Sequence, residues 1–175
     1  VGTDISEHSL SETRRLAEKA GISNLNLEKL PVEETAALER DFDLVICTGV
    51  LHHLPNPAAG LNALKSVLRP DGSMHLMLYG RHGRTGVYML QALFRSLGID
   101  AAKVGKKEIA TLRTLIENLP PAHPFAAVRD MHPDWRDDEG LVDLLLHVQD
   151  QAYTLSDIGE LLGDTGLKMQ KLLFA

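Results

Sequence analysis

Four groups of residues in this chain have types and spacings that could do chemistry. The first is Asp4, which closes the short stretch Val1-Gly2-Thr3-Asp4. A carboxylate at the carboxyl end of a parallel strand can accept two hydrogen bonds from vicinal hydroxyls, in the crevice where open α/β sheets bind ligands. Helix capping or a turn is the plainer use of an aspartate there. The second group is His52 and His53, just past the apolar run Phe42–Cys47. An imidazole titrates near neutrality and so suits a general base, here His52, but such a pair can equally pack and shape a crevice wall. The third is Tyr79, Arg81, His82 and Arg84, after the run Ser73–Tyr79. These could meet an anionic or aromatic ligand, or they could be solvated charge on a flexible loop spaced by Gly80, Gly83 and Gly86. The fourth is His147, Gln149, Asp150 and Tyr153, which could close over a pocket or simply cap and turn the chain.

The elements that must position these residues follow from local pattern. Val1 to Asp4 reads as the end of a strand. Ser9-x-x-Glu12 has the form of a capping box, opening a helix that runs to about Ala20. Gly21 supplies its left-handed stop. Leu25 and Leu27 alternate with polar residues, as in a short strand. Phe42 to Cys47 is apolar enough for a parallel strand covered on both faces. Asn56-Pro57 is a cap with proline in the first helical position, and Leu61, Leu64, Val67 and Leu68 make one helical face. Pro70-Asp71-Gly72 is a turn, and Ser73 to Tyr79 a further strand. The order β-α-β-β-α-β predicts a doubly wound, mostly parallel α/β sheet.

The second half is helical. Leu90, Leu93, Phe94 and Leu97 share a face, as do Ile109, Leu112, Leu115, Ile116 and Leu119. Pro120-Pro121 ends the latter helix. A polar stretch from Asp130 to Gly140 precedes an apolar helix at Leu141–Leu146. Thr154-x-x-Asp157 opens a last helix, Gly166 closes it, and Leu167 to Phe174 returns to a strand. We therefore expect one domain over residues 1–175. Residues 1–80 form its α/β part, 81–152 a helical insertion, and 153–175 a final helix–strand pair.

Composition excludes several classes of function. A net charge of −6 argues against a nucleic-acid partner. Lys103, Lys106, Lys107 and Arg113 read as a solvated helix face. Cys47, the only cysteine, cannot form an internal disulfide and suits a reducing, cytoplasmic setting as a small buried hydrophobe. No apolar run approaches the ~20 residues of a membrane span. No His-x-x-x-His or paired-cysteine spacing supports a metal. No Gly-x-Ser-x-Gly elbow supports a hydrolase.

Taken in order, Gly2-Thr3-Asp4-Ile5-Ser6, Phe42-Asp43-Leu44-Val45-Ile46-Cys47, Val50-Leu51-His52-His53-Leu54 and Leu68-Arg69-Pro70-Asp71-Gly72 resemble the class I S-adenosylmethionine-dependent methyltransferases. Tyr153-Thr154-Leu155 through Gly166-Leu167 resembles that family's late helix–strand pair. The resemblance covers residues 1–80 and 153–175. It implies a Rossmann-like fold, S-adenosyl-L-methionine as cofactor, and methyl transfer to an acceptor, a small molecule before a protein. It also implies that Asp4 accepts ribose hydroxyls, that Ile5 packs on the adenine, and that Thr48, Gly49, Val50 and His53 line the crevice. Tyr79, Arg81, His82 and Tyr153 would meet the acceptor. Glu28 is the nearest match to the family's adenine-edge acid.

The family's first strand and glycine-rich loop have no counterpart here, which predicts a sheet incomplete at the N-terminus and a piece of a longer enzyme. It also predicts weak cofactor binding by these 175 residues alone, self-association through unpaired sheet edges, and no membrane or nucleic-acid partner. Tight calorimetric binding would contradict the weak-binding expectation. A nicotinamide-dependent oxidoreductase shares the acidic residue, and a non-catalytic module of the same fold is the other alternative. An upstream Gly-x-Gly-x-x-Gly would favour the oxidoreductase, and ligand-induced stabilisation would separate an enzyme from the module.

Overall fold

The computed structural model describes residues 1–99, 101–102 and 104–173. They divide into two compact units, Val1–Met77 with Gly159–Ala175, and Leu78–Ile158. In the first unit, β1 (Gly2–Asp4) and β2 (Leu27–Lys29) pair in parallel, with Asp4 opposite Lys29. Helix α1 (Glu7–Lys19) is their crossover. Strand β3 (Phe42–Thr48) pairs in parallel with β4 (Leu68–Met77) through α2 (Pro57–Ser66). The fold is thus α/β with parallel strands and right-sized crossover helices, as the sequence predicts. Among the described residues the strands form two two-stranded ladders, β1–β2 and β3–β4.

Local chemistry explains most of these boundaries and corrects several. Helix α1 starts earlier than Ser9. The Asp4 carboxylate accepts from the Ser6 amide at 2.7 Å, closing the chain into a turn. The Ser6 hydroxyl then caps the helix by accepting from the Ser9 amide at 3.2 Å. Glu12 instead pairs with Arg15 on the exposed face. Gly21 has φ +69°, as its helix-ending role requires. Leu25 lies outside β2. Asn56 caps α2 through the Ala59 amide, with Pro57 in the first turn.

Pro70-Asp71-Gly72 turns inside β4. Phe42 faces Leu68 and Leu44 faces Ser73, so residues 69–72 bulge out of the ladder. Strand β3 buries Val45 and Cys47 on one face, while Leu44 and Ile46 on the other are 54% and 65% exposed. The expected cover on both faces is present on one. Residues 167–173 form no strand, since no ladder partner reaches them among the described residues, and Phe174 lies outside those residues.

The second unit is a helical cluster. Val87, Leu90 and Phe94 of α3 (Thr85–Ser96) meet Leu112 and Ile116 of α4 (Lys106–Glu117). Phe125 of α5 (Pro124–Val128) and Leu141, Leu144, Leu145 and Leu146 of α6 (Asp138–Leu146) complete the core. Burial of these side chains from water drives the packing. Helix α7 (Leu155–Thr165) opens on the predicted box. The Thr154 amide donates to Asp157 at 2.7 Å and the Asp157 amide to the Thr154 hydroxyl at 3.2 Å. Arg113 departs from the solvated-face expectation, because its guanidinium donates to the Trp135 and Arg136 carbonyls and to Asp138. Lys106 and Lys107 are exposed, and Lys103 lies outside the described residues.

Gly86 is not a loop hinge. It is buried in α3, where an added Cβ would sit 2.2 Å from the Phe125 amide nitrogen. Backbone cannot yield there as a flexible side chain would. Gly86→Ala is expected to destabilise the fold by about 1–3 kcal/mol, the usual cost of overpacking, as read from urea unfolding. An unchanged midpoint would show that α3 and α5 approach less closely than described.

Candidate functional site

In the first unit the residues with chemistry lie where parallel pairing places them, at strand carboxyl ends. Asp4 is the last residue of β1 and is half-buried. A carboxylate offers about four lone-pair sites, so the bond from Ser6 leaves capacity for sugar hydroxyls. Ile5 follows at 69% exposure and so is no part of the core. Thr48 ends β3 and is exposed. Gly49 has φ +74°, and an added Cβ there would meet no atom within 4 Å. The backbone thus turns through a conformation glycine adopts freely, next to open space.

Val50 is 38% exposed, whereas His52 is fully buried. Its ring stands edge-on to His53 at 4.3 Å between centroids. That burial favours the wall-shaping role of His52 over a base that must reach an acceptor. His53 is half-buried. Cys47 is buried and its thiol is pushed up by that burial, which makes it an inert filler.

In the second unit, Tyr79, Arg81 and Tyr153 are brought together by backbone. The Tyr153 amide donates to the Tyr79 carbonyl at 2.8 Å, and the Arg81 amide to the Tyr153 carbonyl at 2.9 Å. Tyr79 is half-buried and Tyr153 is 5% exposed. Burial pushes both phenols above their ordinary values. The Arg81 side chain pairs with Asp157 at 3.0 Å, and His82 is exposed.

The strongest polar feature of this unit is a buried ion pair. Arg84 is not solvated loop charge. It pairs with Asp150 at 3.2 Å, with the two side chains 7% and 3% exposed. Asp150 also accepts from the Tyr88 hydroxyl and from Gln91, which donates to the Leu144 carbonyl as well. The Arg84 guanidinium lies 3.6 Å from the centroid of the Tyr79 ring. One signal was available. Arg84, Tyr88 and Gln91 are spaced at i, i+4 and i+7, a polar stripe beside the apolar one on α3.

Two concavities lie elsewhere. One, of about 520 Å³, is lined by Ala101, Ile109, Val142 and Val148 with Asp138, Glu139, Asp143 and His147. The other, of about 230 Å³, is lined by residues of α1 and Ile22, Leu25 and Leu27. Of the residues singled out in the sequence for chemistry, His147 lines the first of these.

Asp150→Asn would leave the Arg84 charge buried and unpaired. It is expected to cost about 3–5 kcal/mol of stability in chemical denaturation, and a cost under about 1 kcal/mol, typical of an exposed pair, would show that water screens it. Tyr88 supplies a pH test. Burial, reinforced by the Asp150 carboxylate, pushes its phenol up to about 12. The ordinary value is about 10, so the folded state holds this proton more tightly. Its contribution is whole below the lower value and lost as pH rises toward the higher. Tyr88→Phe should flatten the fall in stability across that alkaline window, and an unaltered slope would contradict the assignment.

Comparison with known proteins shows the family. A family model described as a methyltransferase domain matches residues 1–110. An uncharacterised protein of Synechococcus is 27% identical over 169 residues, covering 94% of this chain and 40% of that protein. A ubiquinone biosynthesis O-methyltransferase of Neisseria meningitidis is 27% identical over 159 residues, covering 89% of this chain and 61% of that one. The chain therefore spans less than two thirds of these relatives. Among solved structures, PKMT2 from Rickettsia typhi superposes with a TM-score of 0.66 at 15% identity, over 94% of this chain and 32% of that one. The same protein in complex with AdoHcy gives 0.64 at 16% identity, over 93% and 33%. No helix among the described residues is long and apolar enough to cross a membrane. With strand-end Asp4 and the glycine turn after β3 inside the matched region, the chain belongs to the methyltransferase-domain family, the class I S-adenosylmethionine-dependent methyltransferases.

Proposed function

We propose that this chain serves S-adenosylmethionine-dependent methyl transfer to a small-molecule acceptor. The observation that carries the reading is the half-buried Asp4 carboxylate at the carboxyl end of β1, followed at once by the exposed Ile5. Acid then apolar suits a nucleoside, with the carboxylate accepting from ribose hydroxyls and the aliphatic side chain against a purine face. Gly49 turns the chain where a ligand can approach the backbone. The bound cofactor supplies an electrophilic methyl group on a sulfonium. The protein's part is then to hold the acceptor nucleophile in line and exclude water.

Thr48, Gly49, Val50 and His53 are assigned to the crevice wall, and His52 supports that wall from within. Tyr79, Arg81, His82 and Tyr153 are assigned to the acceptor. The names of the curated relatives support a small-molecule acceptor, since ubiquinone biosynthesis enzymes recur among them.

Asp4→Ala is the direct test of the nucleoside assignment. Hydrogen bonds to a charged group contribute about 1.5–3 kcal/mol, so the variant should bind labelled S-adenosylmethionine about ten- to a hundredfold more weakly in equilibrium dialysis. Equal retention by the two proteins would remove Asp4 from the site.

A further inference from the structure

Resting on the assignment of Tyr79 to the acceptor, we propose that the acceptor is an uncharged aromatic compound, received on a Tyr79 ring that Arg84 holds in place. The sequence left two ligand classes open for residues 79–84, anionic or aromatic. The structure separates them by showing where each positive charge goes. Arg84 is spent on Asp150, in a pair almost wholly out of water. Arg81 is paired with Asp157 at 3.0 Å. Apart from burial, the strongest influence on the Tyr79 phenol is the Arg84 guanidinium, and the carboxylates of Asp143, Asp150 and Asp134 oppose it. An anionic acceptor would find the buried Arg84 already neutralised by Asp150, and would give up its hydration for little return.

An aromatic acceptor meets a different surface. The guanidinium covers Tyr79 at 3.6 Å from the ring centroid, close enough to fix the ring plane. Arg84 cannot drift, because Asp150 is itself held by Tyr88 and Gln91, and Gln91 is tied to the Leu144 carbonyl of α6. Arg84 is therefore a positioning residue, acting through Tyr79, and a pre-set ring binds a flat partner at a lower entropic cost. Lysine cannot replace it, since an ammonium keeps the charge but lacks the flat face.

The test uses the full chain with S-adenosylhomocysteine present and two probes of matched shape, benzyl alcohol and benzoate. The chain has three tyrosines, so ring signals from selectively labelled protein are assignable by single Tyr→Phe variants. Benzyl alcohol is expected to shift the Tyr79 signals and to bind about fivefold more tightly than benzoate. Arg84→Lys should move the Tyr79 signals in the free protein and erase that preference. Tighter binding of benzoate, or failure of both probes to shift Tyr79 at millimolar concentration, overturns the proposal. Those outcomes need no variant and so stand even if Arg84→Lys does not fold. Loss of the S-adenosylhomocysteine response at Asp4 with the Tyr79 response intact would sink the methyl-transfer reading and leave the aromatic platform standing.

Discussion

Parallel strand pairing is the constraint from which the candidate site follows. Two parallel strands cannot be joined by a tight turn, so each pair here carries a crossover through a helix, α1 for β1–β2 and α2 for β3–β4. Every strand of a pair then points the same way. Loops leaving the carboxyl ends collect on one edge of each ladder, and helix-entry residues share that edge. Asp4 and Ser6 show the economy of this arrangement. One carboxylate ends a strand, and its bond to the Ser6 amide sets the turn from which α1 departs. The carboxylate is therefore fixed by the fold itself before any ligand arrives, which is the preorganisation a binding group needs.

The second unit solves a different problem. Its core is apolar and made almost wholly of helix faces, yet it contains a buried cation. Such a charge is tolerable only with a partner and with the remaining hydrogen-bond capacity used. Asp150, Tyr88 and Gln91 provide most of this and tie α3 to the segment after α6. The consequence for function is one of subtraction. A loop that looks cationic in sequence has one of its guanidiniums buried against Asp150 once folded.

Much of this architecture was legible from local chemistry. Asn56-Pro57 and Thr154-x-x-Asp157 opened helices where their bonding capacity requires, and Gly21 and Gly166 closed them with positive φ. The failures were cases in which a local pattern had a rival. Ser6 and Ser9 stand three residues apart and either could cap α1. Asp4 decides between them, by drawing the Ser6 amide into a turn. Pro70-Asp71-Gly72 is a good turn, but the strand resumes its ladder beyond it, so the turn becomes a bulge. The burial of Arg84 depends on Asp150, 66 residues away; the polar stripe of Arg84, Tyr88 and Gln91 hints at a shared partner but does not say which residue supplies it. For the site, strand-end positions could be read from the order of elements. Which side chains meet could not, because His52 and His53, or Tyr79 and Tyr153, differ in burial through packing that neighbouring residues do not encode.

The central claim is that the strand-end residues of the first unit are a nucleoside site. Amide chemical-shift mapping of the labelled chain titrated with S-adenosylhomocysteine tests it most directly. The account predicts perturbations concentrated at residues 4–6 and 48–53, with the exposed faces of α4 and α6 unmoved. Perturbations centred on the trough lined by Ile109 and Val142, or none at saturating ligand, would contradict it.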